Sequence, residues 1–263
     1  MTLPYAGFPF ERALRGIQAA GYSYVVWGGQ HERKPLLEID APPGDAARLT
    51  RMSKDAGLMP LMMFATVNLE AANAIDAHRK RLAQASAAGL PFLLTFGKTG
   101  KGEYELFIAN LRAIAREAEK TGVMVVIKQH GGNTATGKDC ARIVSEVASP
   151  AVKICYDAGN VLDYENQDPI ADIATCAADI RAFAIKDHRN TPKDEDCGPG
   201  FGEIDHYKLL RHVMRTGLTM PLACENIFEP LVPRPAAPEG VDVLARRARE
   251  YVESVLAGLR TVI

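Results

Sequence analysis

Several common signatures are missing from this sequence. There is no GxxxxGK[ST] phosphate loop, no GxSxG nucleophile elbow, and no GxGxxG turn after the first apolar strand. These absences argue against P-loop chemistry, serine hydrolysis and dinucleotide binding. Neither charge is in excess: 31 Lys and Arg face 32 Asp and Glu, a net charge of −1. That balance lacks the basic footprint of a nucleic-acid binder. The five cysteines are an odd number with no CxxC pair, which suits reduced thiols and argues against a cysteine zinc site. No basic and apolar leader opens the chain, and no apolar run approaches the roughly 18 residues of a membrane span. The expectation is a cytoplasmic protein with neither nucleic acid nor membrane as partner.

What is present is alternation. With 263 residues and 47% apolar side chains, the chain can bury a sizeable core. Short β-like runs at 24–27, 58–64, 92–96, 124–128, 152–156, 182–186 and 222–224 alternate with helical patterns at 10–20, 45–56, 69–88, 103–120, 137–148, 169–176, 205–216 and 241–259. Asp45 and Asp205 are placed as helix N-caps. A short eighth strand is expected at 2–5. Repeated βα units imply parallel strands with right-handed crossovers. The fold class expected is α/β, a single (βα)8 TIM barrel over residues 1–263 whose first strand is short or incomplete. A doubly wound open sheet is the rival, disfavoured by the missing glycine fingerprint. Pro230, Pro233, Pro235 and Pro238 mark a stiff excursion suited to a lid or to contact with a second copy in a homo-oligomer.

Four of these runs end in groups that can move protons or bind metals: Lys128-Gln129-His130, Tyr156-Asp157, Lys186-Asp187-His188 and Cys224-Glu225. Side chains alternate along a strand, so Lys128 and His130 share a face, as do Cys155 and Asp157, and Lys186 and His188. Charges are costly inside a barrel and tolerable at its open rim, where barrel enzymes keep their catalytic groups. His78, His206 and His212 fall in helical patterns and are expected at the surface. The glycine-rich loop 97–102 could hold an anion on its N–H groups with Lys98 and Lys101, or simply connect a strand to a helix.

The ordered set Lys128-Gln129-His130-Gly131-Gly132, Tyr156-Asp157-Ala158-Gly159-Asn160, Ile185-Lys186-Asp187, Gly200-Phe201-Gly202-Glu203-Ile204-Asp205 and Cys224-Glu225 resembles the xylose isomerase-like barrels. That superfamily includes sugar phosphate isomerases and epimerases and is distantly related to endonuclease IV. The resemblance runs from Phe10 onward. It implies a divalent metal held by a Glu, an Asp, a His and a Glu from four strand ends. Asp157 and Glu225 match two of those positions, while Lys128 stands at the first Glu and Ala184 at the His. An ammonium cannot ligate a metal. Two arrangements follow. A metal (Mn²⁺, Zn²⁺ or Fe²⁺) could bind a shifted set of His130, Asp157, His188 and Glu225. Alternatively, Lys128 could supply the positive charge itself.

Either arrangement suits proton abstraction beside a carbonyl. Glu225 is the expected base, Lys128 or the metal the electrophile, and Lys186 a proton shuttle if its neighbours depress its pKa. Trp27, His31 and Asn160 are candidate substrate contacts, with no nucleotide cofactor. The expected activity is isomerisation or epimerisation of a small keto-sugar or sugar acid through an enediolate. A lyase or dehydratase on the same class shares the early chemistry, and a non-catalytic sugar-binding subunit is the further alternative.

Overall fold

Period-two alternation sorts every strand into an inner and an outer face, and this sorting positions the site. A computed structural model describes residues 1–262. Seven strands form one parallel sheet in chain order: β1 (Tyr24–Trp27), β2 (Met59–Phe64), β3 (Phe92–Thr95), β4 (Met124–Lys128), β5 (Val152–Tyr156), β6 (Ile180–Ile185) and β7 (Leu222–Cys224). Val26, Met62, Leu94, Val126, Cys155, Ala182, Ala184 and Ala223 fill the interior. Alternate residues such as Trp27, Leu93, Ile127, Ile154, Tyr156, Phe183 and Cys224 join a larger core shared with the helices. The interior is lopsided: valine, methionine and leucine line it from β1 to β4, cysteine and alanine from β5 to β7.

The outer layer is α1 (Phe10–Ala19), α2 (Pro43–Asp55), α3 (Ala74–Ala87), α4 (Tyr104–Thr121), α5 (Gly137–Val147), α6 (Ala158–Glu165), α7 (Pro169–Ile173), α8 (His206–Met214) and α9 (Pro238–Arg260). Asp157, Asp168 and Asp205 start α6, α7 and α8 by accepting a backbone N–H, as Thr136 does for α5. Asp45 does not cap α2. That helix begins two residues earlier at Pro43, whose fixed φ suits a first helical turn, and Asp45 lies inside it.

The expected strand at 2–5 does not form. Leu3–Tyr5 is a 3-10 turn with Pro4 inside it, and proline cannot donate to a ladder. The barrel closes instead through single residues. The Met1 amine donates to the Cys224 carbonyl at 3.0 Å and the Thr2 N–H to the Val26 carbonyl at 2.9 Å, bridging β7 and β1. The Thr2 hydroxyl accepts from the Gly28 N–H and contacts His31 Nε2 at 3.1 Å. A cavity of about 630 Å³ opens at this seam, lined by Tyr22, Tyr24, Met220, Leu222 and Val252, and it contains none of the charged strand-end groups.

Two histidines expected at the surface are buried. His78 bridges the Ala74 carbonyl and the Thr95 hydroxyl, each at 2.7 Å, and His206 donates through Nε2 to the Lys186 carbonyl at 3.1 Å. Both sit on the inward face of their helices, where a ring nitrogen can satisfy a strand group. No described helix is long and apolar enough to cross a membrane.

Loop 97–102 packs backbone to backbone on the loop after β4. Its Lys98 N–H already holds a carboxylate, that of Glu70, at 3.0 Å. Gly132 has a φ of +54°, and a Cβ there would run into the Lys98 and Gly100 carbonyls. Gly132→Ala should therefore cost about 2–3 kcal/mol in a urea unfolding measurement.

Candidate active site

Four barrel strands deliver their next inward residue at, or just past, the C-terminal end. Lys128 follows Val126, Asp157 follows Cys155, Lys186 follows Ala184, and Glu225 follows Ala223. The small residues of β5 to β7 leave room for long side chains to lie across the mouth. Lys128 Nζ lies 2.7 and 2.8 Å from the two oxygens of Glu225 and 2.9 Å from Asp157 Oδ2. The Glu225 contacts are aligned hydrogen bonds, and the Asp157 contact is an ion pair. Lys128 and Asp157 are buried, and the Glu225 side chain is the most open of the three at 13% exposure. Burial opposes the Lys128 charge, yet Glu225 and Asp157 more than offset it and raise its pKa above the ordinary 10.5. Burial likewise opposes the Asp157 charge, but Lys186, Lys128 and the Asn160 N–H together hold its carboxyl below the ordinary 3.8.

Asp157 is fixed from behind. Its N–H donates to Gln129 Oε1 at 2.9 Å, its Oδ1 accepts from the Asn160 N–H at 3.0 Å, and Asn160 Nδ2 donates to the Gln129 carbonyl at 2.6 Å. Asn160 is thus a clamp on the β4 and β5 ends. Gly159 is needed for Lys186, because a Cβ there would lie 2.6 Å from Lys186 Cε.

Lys186 donates to Asp196 Oδ2 at 2.6 Å, leaving two of its N–H donors uncommitted. Burial opposes its charge, but Asp157, Asp196 and Glu225 raise its pKa above 10.5, the reverse of what a lysine shuttle requires. Asp196 was not legible as a partner. A short antiparallel hairpin, Asp187–Arg189 with Glu195–Cys197, folds it back over Lys186. Asp187 anchors this region by accepting the His188, Gly200 and Ile204 N–H groups at 2.9–3.1 Å.

The remaining expected residues are elsewhere. His130 turns to Thr99 Oγ1 at 3.1 Å and packs between Phe96 and Tyr164, with centroids at 4.6 and 5.7 Å. Burial and the Lys128 charge lower its pKa below 6.5, so its imidazole is neutral at neutral pH. His188 is held by the hairpin carboxylates, with Nδ1 3.2 Å from Asp196 and Nε2 3.3 Å from Asp194. Trp27 faces outward, donating to Ser53 Oγ at 3.1 Å and packing on Phe10, so it is core and not a sugar platform. His31 is buried, with its ring nitrogens on the Phe8 carbonyl and the Thr2 hydroxyl; its role is closure. Phe96 and Tyr164 make the aromatic wall that Trp27 does not.

A divalent cation does not fit between Asp157 and Glu225. Three of their facing oxygens are taken by an ammonium that would repel it, and Ala184 offers no ligand. The shifted set of His130, Asp157, His188 and Glu225 does not converge, because His130 and His188 are held by Thr99 and Asp196. Among the described residues, the ligand atoms of Asp163, His188 and Asp194 lie within 4.8 Å of one another and form the group that could hold a metal.

Because the Asp157 pKa is depressed, its ionised form stabilises the fold fully above the ordinary 3.8, and that stability is lost as pH falls through the lowered value. Asp157→Asn should flatten this acid limb in urea midpoints measured against pH. At neutral pH it should cost about 3–5 kcal/mol, as expected for a broken buried ion pair.

No curated protein matches the chain. Solved structures do match in fold. An L-ribulose 3-epimerase superposes with a TM-score of 0.77 at 16% identity, covering 99% of this chain and 94% of that one. A xylose isomerase-like TIM barrel protein from Mycobacterium smegmatis, in complex with magnesium, gives 0.74 at 14% identity over 95% and 89%. D-allulose 3-epimerase from Methylomonas sp., in complex with D-allulose, gives 0.71 at 17% over 96% and 94%. The sequence itself matches the family described as xylose isomerase-like TIM barrel over residues 14–247. The parallel barrel, the charged cluster at the C-terminal ends of its strands and this match agree: the chain belongs to the xylose isomerase-like TIM barrel family.

Proposed function

We propose that this protein is a sugar isomerase or epimerase that removes a proton beside the carbonyl of a small keto-sugar or sugar acid. The reading is carried by one observation: a partly open carboxylate, Glu225, converges with two buried ammonium groups at the barrel mouth. Glu225 is the base. It takes the proton from the carbon bearing the hydroxyl, and the electron pair moves onto the carbonyl oxygen to form an enediolate. Lys186 has two N–H donors free to meet that oxygen, and Lys128 adds its field. A preorganised donor of this kind contributes about 2.7–4 kcal/mol to the barrier. Delivery of the proton to the former carbonyl carbon, with the hydroxyl proton passing to the other oxygen, gives the isomer, and delivery of a proton by a donor on the opposite face gives the epimer. The 3-epimerase activities of two superposable structures support the substrate class. Phe96 and Tyr164 offer rings against which a sugar face can pack.

The two uncommitted N–H donors of Lys186 support one second reading. Its ammonium can hydrogen-bond a β-hydroxyl as that group departs, turning the same enediolate toward elimination.

Proton NMR in D₂O tests the proposal whichever product forms. Incubation with a panel of ketopentoses, ketohexoses and sugar acids should exchange the proton beside the carbonyl for deuterium. Glu225→Gln should slow that exchange by roughly 10²–10⁴-fold. No exchange with any member, or full exchange in Glu225→Gln, would remove the base assignment.

A further inference from the structure

The positive charge that faces Asp157 and Glu225 belongs to the chain. We propose that Lys128 is a built-in replacement for a divalent ion, so that the mouth of this barrel is assembled and works without a metal between those carboxylates. Only the cation is at issue and not the substrate, so metal occupancy can go against this assignment while the sugar reading holds, and the reverse.

Three observations carry it. First, the convergence is that of an ion cage. Carboxylates from the ends of β5 and β7 turn three oxygens onto one Nζ at 2.7, 2.8 and 2.9 Å. An ammonium has three N–H groups; two contacts here are hydrogen bonds to Glu225, and the third is an ion pair with Asp157. Second, the fourth wall has no ligand. Ala184 on β6 pairs in register with Ala223 and lines the interior beside the cage. Third, the charges balance by a different route. Lys128 and Lys186 both favour the ionised Asp157, Lys128 also holds Glu225, and Asp196 takes part of the Lys186 charge. Lys186 acts from its own place, held by Asp196 and given room by Gly159. The magnesium complex of a superposable barrel shows that the architecture can carry a divalent ion. Here lysine takes that role, with directional N–H donors and no open coordination site.

The test reads metal occupancy. The protein, dialysed against EDTA, is titrated with Mn²⁺, with bound metal counted by mass spectrometry and melting followed in parallel. The expected result is no Mn²⁺ uptake that depends on Asp157 or Glu225. Uptake abolished by His188→Ala belongs to the Asp163–His188–Asp194 group and leaves the inference intact. Lys128→Glu combined with Ala184→His should create a metal cage and bind one further equivalent of Mn²⁺. Saturating Mn²⁺ should then raise its melting temperature by roughly 5–10 °C. Stoichiometric metal in the parent that Asp157→Asn or Glu225→Gln removes, and His188→Ala does not, would overturn the inference. A folded double variant that binds no additional Mn²⁺ would overturn it too. If the double variant does not fold, the titration of the parent and its three single variants decides.

Discussion

One buried contact organises the functional end of this molecule: an ammonium from β4 held between a carboxylate at the end of the adjacent β5 and another at the end of β7, across the mouth. Neither sign of charge is stable there alone. Uncompensated ions in a low-dielectric interior cost several kcal/mol each even after relaxation. The alignment of β4, β5 and β7 matters because it brings these three groups within bonding distance. Much of the surrounding structure serves that alignment. Gln129 and Asn160 lock the Asp157 backbone, Gly159 clears a path for Lys186, and Asp187 ties down the hairpin that brings Asp196 over it.

The same arrangement separates the tasks of the mouth. Lys128 is bound on three sides, by hydrogen bonds to both Glu225 oxygens and an ion pair with Asp157, whereas Lys186 donates to Asp196 and keeps two donors free. Glu225 is the carboxylate nearest solvent. The neutral His130 and its two aromatic neighbours form a less polar group.

Most of the architecture was legible because periodicity is a strong signal. The seven strands were readable from their apolar runs, and the inward placement of Lys128, Asp157, Lys186 and Glu225 followed from alternation. The misses have physical causes. A strand at 2–5 reads well by composition, but Pro4 denies it a ladder. Trp27 ends a strand, yet parity points it outward. His188 shares a strand face with Lys186, but the hairpin beyond Asp187 redirects it, and hairpins of three-residue strands leave little trace in hydrophobic pattern. Asp196 was invisible for the same reason: its partner comes from a fold-back, not from a period. The helix 158–165 was also missed, being only two turns long, although Asp157 and Asn160 already stood at capping distance.

The way the barrel closes gives the central ion pair a second, mechanical meaning. β7 is three residues long and pairs with β6 on one side only; on the other side its link to β1 is a relay of single hydrogen bonds through Met1 and Thr2. Glu225 therefore rides on the least supported stave of the cask. The bond from Lys128, reaching over from β4, acts as a tie-rod across the top. It holds the rim round where the sheet does not, so an ion pair at the mouth also keeps the vessel in shape.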